Sequence, residues 1–144
     1  MAIGYALGGM YSHYNVNVAL FNMKRDYPEC FRDDFTIDAI FGNFQYCLWD
    51  GGRIFLHYEH ATLEKVKQLQ EYYNNQLKVP IRFIYTNTQI EEKHLQDRFC
   101  NLVTKLCEND MNEIVVNSPL LEKYLRSEYP RYKYISSTTK CILD

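Results

Sequence analysis

The sequence predicts an α/β fold built on a parallel sheet, and the alternation of two kinds of segment indicates it. Short stretches rich in β-branched and aromatic residues alternate with longer stretches whose apolar residues recur at helical spacing. Strands and helices that alternate in this way form parallel sheets joined by right-handed crossovers. The length of 144 residues and the 47% content of hydrophobic residues are typical of one globular domain.

Four helices and four strands are predicted along the chain. The helices are Ser12 to Asp26, a helix after Thr62, Glu91 to Glu108, and a helix from Ser118 to before Pro130. The strands are Thr36 to Phe41, Ile81 to Tyr85, Glu113 to Val116, and Tyr132 to Ile135. Thr62 and Ser118 are the predicted N-caps, because their hydroxyls can accept from a free backbone N–H of the first turn.

Residues 1–11 are predicted to be an N-terminal leader, and residues 12–144 a single α/β domain. The leader lacks a basic segment and its apolar run is broken by Gly4, Gly8 and Gly9, which excludes a signal peptide. No run of about 18 apolar residues occurs, so no membrane span is predicted. Four parallel units fit either half of a (βα)8 barrel or a small open parallel sheet of the doubly wound kind.

Charge and cysteine usage exclude several classes of function. Lys and Arg number 16 against 18 Asp and Glu, so there is no basic field and no nucleic-acid binding is predicted. The five cysteines are odd in number and form no C-x-x-C pair, which fits neither a zinc site nor a secreted disulfide framework. We therefore expect reduced thiols in the cytoplasm, with no metal and no cofactor.

Polar residues follow each predicted strand, at the edge of the sheet where parallel α/β proteins place their sites. Amides and hydroxyls there suit a small polar ligand without net charge. Arg53, after Gly51 and Gly52, adds a planar donor that binds carboxylate or phosphate. The predicted ligand-binding residues are Asn43, Arg53, Asn87, Asn117 and Ser137. The competing interpretation is that the Asn and Ser side chains cap helices and close turns, and that Arg53 is a solvated turn residue.

Several strings in the sequence are shared with a known group of proteins. They are Ile40-Phe41-Gly42-Asn43-Phe44, Trp49-Asp50-Gly51-Gly52-Arg53, Arg82-Phe83 with Thr86-Asn87, Asn112-Glu113 with Val116-Asn117-Ser118-Pro119-Leu120, and Ile135-Ser136-Ser137-Thr138-Thr139-Lys140-Cys141. Over about residues 14–141 the chain resembles the N-terminal half of an uncharacterised bacterial TIM-barrel family, distantly similar to the collagenase-like peptidase barrels. The resemblance implies a fold and no particular reaction. Members of that family continue into a second half with a cysteine cluster, so the resemblance implies about half a barrel, as a natural short form or a fragment.

Two functions remain open from the sequence. One is a half-barrel-like protein that binds a small polar ligand at the carboxyl ends of its strands, with no catalytic residues identified. The other is a non-catalytic interaction or inhibitor protein, from a mobile element or phage, that acts on a partner protein. Unclosed strand edges and a last strand without a helix predict a homodimer or a complex with a partner protein. Tyr129, Tyr132 and Tyr134 are expected near that interface.

Overall fold

A computed structural model describes residues 3–51 and 61–140, in which strands and helices alternate. The strands are β1 (Ile3–Leu7), β2 (Phe35–Gly42), β3 (Ile81–Tyr85), β4 (Glu113–Val116) and β5 (Lys133–Ser136). The helices are α1 (Tyr14–Asp26), α2 (Leu63–Gln70), α3 (Arg98–Leu106) and α4 (Pro119–Glu128). The predicted α/β class is confirmed.

The order of strands in the sheet follows their order in the chain. All neighbouring pairs are parallel, and the sheet runs β1-β2-β3-β4-β5. A doubly wound sheet reverses its strand order part-way, whereas this one does not. Because right-handed crossovers between successive neighbours all turn the same way, they carry every helix to the same face of the sheet. The arrangement is that of consecutive units in a (βα)8 barrel.

The segment predicted as a leader contains the edge strand β1. It pairs with β2, and the register shifts at Tyr5 and Ala6. Glycines hide its strand pattern in the sequence. The missing side chain at Gly4 leaves room for the carboxylate of Asp38 above β1. The sheet therefore has five strands where four were predicted.

Helix boundaries follow the caps more closely than the apolar periodicity. Thr62 accepts a hydrogen bond from the backbone N–H of Lys65, and Ser118 accepts one from Leu121, so both predicted N-caps are confirmed. The third predicted helix is interrupted: a 3₁₀ turn spans Glu92–Gln96, and α3 begins afterwards. Asp97 causes the break, because its carboxylate accepts from the backbone N–H of Cys100 as a new N-cap.

The core lies between the sheet and the helices. One cluster of buried side chains joins all four helices to alternate strand residues, which include Ile40, Ile81, Phe83, Tyr85, Ile114 and Val116. Tyr129 and Tyr132 belong to this cluster and are 7% and 4% exposed, so the expectation that they line an interface is wrong. Their phenol groups donate to the backbone carbonyls of Asn101 and Thr104 respectively, which satisfies them inside the core.

The opposite face of the sheet takes no part in that cluster, and we call it the helix-free face. The strand registers place on it Ala39, Phe41, Arg82, Ile84, Glu113, Val115, Lys133 and Ile135. Ala39 and Ile84 are buried and yet lie outside the helix-facing cluster. In the middle of this face Nε of Arg82 lies 2.6 Å from Oε2 of Glu113.

In residues 3–51 and 61–140, no helix is both long and apolar enough to cross a bilayer.

Candidate functional site

A cleft of about 470 Å³ opens at the carboxyl ends of the strands, and we call it the rim cleft. The described residues that line it are Asp50, Gly51, Thr86, Asn87, Thr88, Gln89 and Thr139. Asp50 and Gly51 come from the loop after β2, the next four follow β3, and Thr139 follows β5. Every lining residue is polar or glycine, while the strands beneath them are apolar.

A buried tryptophan holds the loop that carries Asp50. The indole N–H of Trp49 donates to the backbone carbonyl of His94 at 2.9 Å, and its ring packs edge-on against Tyr85. The backbone carbonyl of Trp49 accepts from the backbone N–H of Asn87 at 3.1 Å. Asp50 is thereby fixed beside the end of β3, with its two carboxylate oxygens shielded from solvent.

Gly51 brings the loop backbone into direct contact with Thr86. A Cβ at Gly51 would lie 2.4 Å from Oγ1 of Thr86 and 3.0 Å from its carbonyl oxygen, so a side chain does not fit. The glycine of this Asp-Gly pair therefore does more than form a turn, because it allows the loop to close against the end of β3.

Thr139 is positioned by two of the residues predicted from the sequence. Nδ2 of Asn117 donates to Oγ1 of Thr139 at 2.8 Å, and Oγ of Ser137 lies 2.7 Å from the same atom. The Ser137 hydroxyl also accepts from the backbone N–H of Thr139. Asn117 and Ser137 thus lie one layer behind the rim cleft and hold a hydroxyl that faces it.

The other residues predicted from the sequence are Asn43, Arg53 and Asn87, and the two asparagines bond to the protein backbone. Asn87 lines the rim cleft, but its amide donates to the carbonyl of Leu48 and accepts from the N–H of Gln89, which closes a turn. Asn43 is buried away from the cleft, where its amide bonds to both the backbone N–H and the carbonyl of Ile84. It therefore extends the ladder between β2 and β3. Arg53 lies outside the described residues.

Sequence reasoning did not select Asp50, Thr86 or Thr139 as site residues, although all three lie in or beside motifs that it quoted. The available signal was the one used for Asn87: a polar residue directly after an apolar strand. For Asp50 the Asp-Gly pair was interpreted as a turn, and contact with Thr86 could not be inferred from spacing.

Burial disfavours the ionised form of the two buried thiols. Burial raises the pKa of the Cys107 thiol to about 12. A hydrogen bond with Cys47, together with burial, raises the pKa of the Cys100 thiol well above its ordinary value. Within the described ranges, no group of three or more His, Cys, Asp or Glu side chains could hold a metal ion. The chemistry that the rim cleft offers is hydrogen bonding to hydroxyls and amides.

Comparison with protein-family models, with curated proteins and with solved structures finds no match to this chain. Because parallel α/β architectures host many unrelated functions, the function is inferred here from the chemistry of the chain's own side chains.

Proposed function

We propose that the protein binds a small polar ligand without net charge, such as a sugar or a peptide unit, in the rim cleft. The observation that carries the proposal is the grouping of the polar residues Thr86, Thr88, Gln89 and Thr139 in one cleft. Its volume of about 470 Å³ lies within the range of small-molecule sites. Parallel α/β proteins bind their ligands at this edge of the sheet.

Each group has a distinct part in the proposed complex. The side-chain amide of Gln89 lines the cleft and donates to or accepts from a ligand hydroxyl or amide. Threonine hydroxyls donate or accept as the ligand requires. Asn117 and Ser137 fix the hydroxyl of Thr139, while Asn87 fixes the backbone of the loop that carries Asp50. The sequence-predicted residues therefore serve the site mainly by positioning it.

Ligand-induced stabilisation tests this function directly. The full chain is melted with a panel of monosaccharides, disaccharides, dipeptides and nucleosides, and affinity for any stabilising compound is measured by calorimetry. We expect at least one sugar or dipeptide to raise the Tm, because a ligand that binds only the folded state stabilises it. A panel in which no compound raises the Tm contradicts the proposal.

Two variants then locate the binding. Thr86→Val and Thr88→Val are each expected to weaken binding about threefold, because each removes a hydroxyl that would bond to the ligand. Thr88 is exposed and the only bond described for its hydroxyl is a 3.4 Å contact with Gln89, so its substitution leaves the fold intact. Ser127→Ala, on the exposed side of α4, is the matched control. Unchanged affinity in both cleft variants would place the ligand elsewhere.

We propose, as a second function, that the helix-free face is an interface with a second copy of the chain. Parallel strands are generally covered on both faces, and here the described helices cover one. The charges at its two sides are complementary: Asp38 lies over Gly4 of β1, and Lys133 lies on β5. A half turn about an axis parallel to the strands brings the β5 side of one protomer over the β1 side of its partner, so the side that carries Lys133 meets the side that carries Asp38.

Charge reversal tests the homodimer. Sedimentation of the wild-type chain at micromolar concentration should show a dimer. Asp38→Lys and Lys133→Asp should each weaken it, and the double variant should restore it, because the pairs then face each other with signs exchanged. Both side chains are exposed, so the folded monomer tolerates the changes. A wild-type monomer, or a double variant as weak as the singles, contradicts this interface.

Two further expectations stay with these proposals. The relationship to a TIM-barrel family stays a proposal that rests on the shared sequence strings alone. The thiols of Cys30, Cys47, Cys100 and Cys107 are free, which is the state that a reducing cytoplasm maintains, and we propose that compartment for the protein.

A further inference from the structure

Two cysteines far apart in the sequence face each other beside the rim cleft. Sγ of Cys47, in the loop after β2, lies 3.5 Å from Sγ of Cys100, in the first turn of α3. We propose that Cys47 and Cys100 are a redox modification site, which a peroxide converts into a disulfide and a thiol reductant restores.

The geometry favours this bond without a change of fold. A disulfide requires the sulfur atoms to be about 2.05 Å apart, so they must approach by roughly 1.5 Å, which side-chain rotation can supply. Cys47 is half-buried, whereas Cys100 is fully buried. The pair therefore has one member that a small oxidant can reach and one that is held behind it.

Cys47, the more accessible thiol, reacts with the oxidant, and the buried Cys100 then closes the disulfide. The sulfur of Cys47 attacks a peroxide oxygen and the O–O bond breaks. The thiol proton passes to the leaving hydroxide, so Cys47 becomes a sulfenic acid and one water is released. The sulfur of Cys100 then attacks the sulfenic sulfur and displaces a second water. In sum, two thiols and one hydrogen peroxide give one disulfide and two waters. Asp97 caps α3 beside Cys100 and is placed to take the proton that its thiol loses.

The remaining thiols in the described part of the chain lack this arrangement. Cys107 is buried in the helix-facing cluster, and Cys30 is exposed at the surface. Cys30 therefore serves as an internal control, because an exposed thiol that reacts only by accessibility would be oxidised there first.

The disulfide would fasten the loop after β2 to α3. The backbone N–H of Asp50 donates to the carbonyl of Cys47 at 3.0 Å, so the same loop turn carries both the thiol and a lining residue of the rim cleft. If the proposed ligand function holds, oxidation fixes one wall of that cleft. The disulfide itself does not depend on that function.

Peptide mapping of the full chain after treatment with hydrogen peroxide tests the proposal. We expect a Cys47–Cys100 linked peptide lighter by two hydrogens than the sum of its parts, lost again on reduction with dithiothreitol. Closing a loop between residues 53 positions apart should raise the Tm by at least about 5 °C.

Matched variants separate this pair from general thiol oxidation. Cys30→Ser should leave the linked peptide and the Tm rise unchanged, whereas Cys47→Ser and Cys47→Ala should abolish both. Oxidation confined to Cys30, or irreversible overoxidation of Cys47 without a link to Cys100, overturns the proposal. All of these readouts are made without ligand, so a failure of the rim cleft to bind does not affect them.

Discussion

At the scale of single residues, two buried side-chain amides share a network of hydrogen bonds. Asn74 and Asn112 exchange two hydrogen bonds through their side chains, at 2.8 and 2.9 Å. Oδ1 of Asn112 also accepts from the N–H of Ile81 at 2.8 Å, and its Nδ2 donates to the carbonyl of Cys107 at 2.8 Å. One side chain thus satisfies the start of β3 and the end of α3.

Asn112→Ala should lower the free energy of unfolding by about 2–4 kcal/mol, because it leaves several buried polar groups without partners. Urea denaturation monitored by circular dichroism measures the change. Asn75→Ala is the control, since Asn75 is exposed, and it should cost less than about 0.5 kcal/mol. Equal effects of the two variants would show that the buried amide contributes no more to stability than an exposed one.

The residue scale also explains why the candidate site was predicted only in part. Strand-end position directs attention to Asn87 and to the neighbourhood of Thr139, both of which line the rim cleft. Whether an amide faces a ligand or its own backbone depends on where it points, and spacing does not contain that information. Asn43 is an example, because its amide nitrogen and oxygen both bond to the backbone of Ile84 in β3.

At the scale of elements, the sequence predicts the order of strands and helices better than their ends. Alternating apolar patterns locate β2 to β5 within a few residues, because each is a run of β-forming residues between turn signals. The strand β1 was missed since its glycines resemble a loop. The N-cap at Asp97 also overrides the helical spacing of apolar residues. That spacing runs from Glu91 to Glu108, but α3 begins only after Asp97.

A second local departure lies at the end of α2. The helix continues into one π-helical turn at Glu71–Gln76, which widens the backbone hydrogen bonding by one residue. This turn buries Tyr73 and Asn74 together, so that the phenol donates to the carbonyl of Met10 while the amide meets Asn112. Helical periodicity cannot indicate such a turn, because it assumes an unbroken 3.6-residue repeat.

At the scale of the whole molecule, buried acids of high pKa predict sensitivity to alkali. Burial raises the pKa of Tyr73 from 10.0 to about 12, and that of Cys107 from 9.0 to about 12. In the unfolded chain these groups ionise near their ordinary values, whereas in the folded chain they stay protonated. The unfolded state therefore binds fewer protons above pH 9, and the free energy of unfolding should fall between pH 9 and pH 12.

Urea unfolding at pH 8, 9.5 and 10.5 checks this expectation. Tyr73→Phe should reduce the loss between pH 8 and pH 10.5, because one titrating group is removed. Tyr27→Phe is the control, since Tyr27 is 57% exposed. A free energy of unfolding that is constant up to pH 10.5 would contradict the burial of these acids.

The strand order described above also bears on how the chain reaches its fold. Since each strand pairs with the one synthesised just before it, the sheet can grow at one edge while the ribosome delivers successive units. No later strand has to be inserted between two that have already paired, and each crossover closes a short loop relative to the whole chain. Loop closure is the entropic cost that slows parallel sheets, so this order lowers the barrier at every step. A nascent chain that has released only β1 to β3 and their helices already holds a partial sheet onto which β4 can dock.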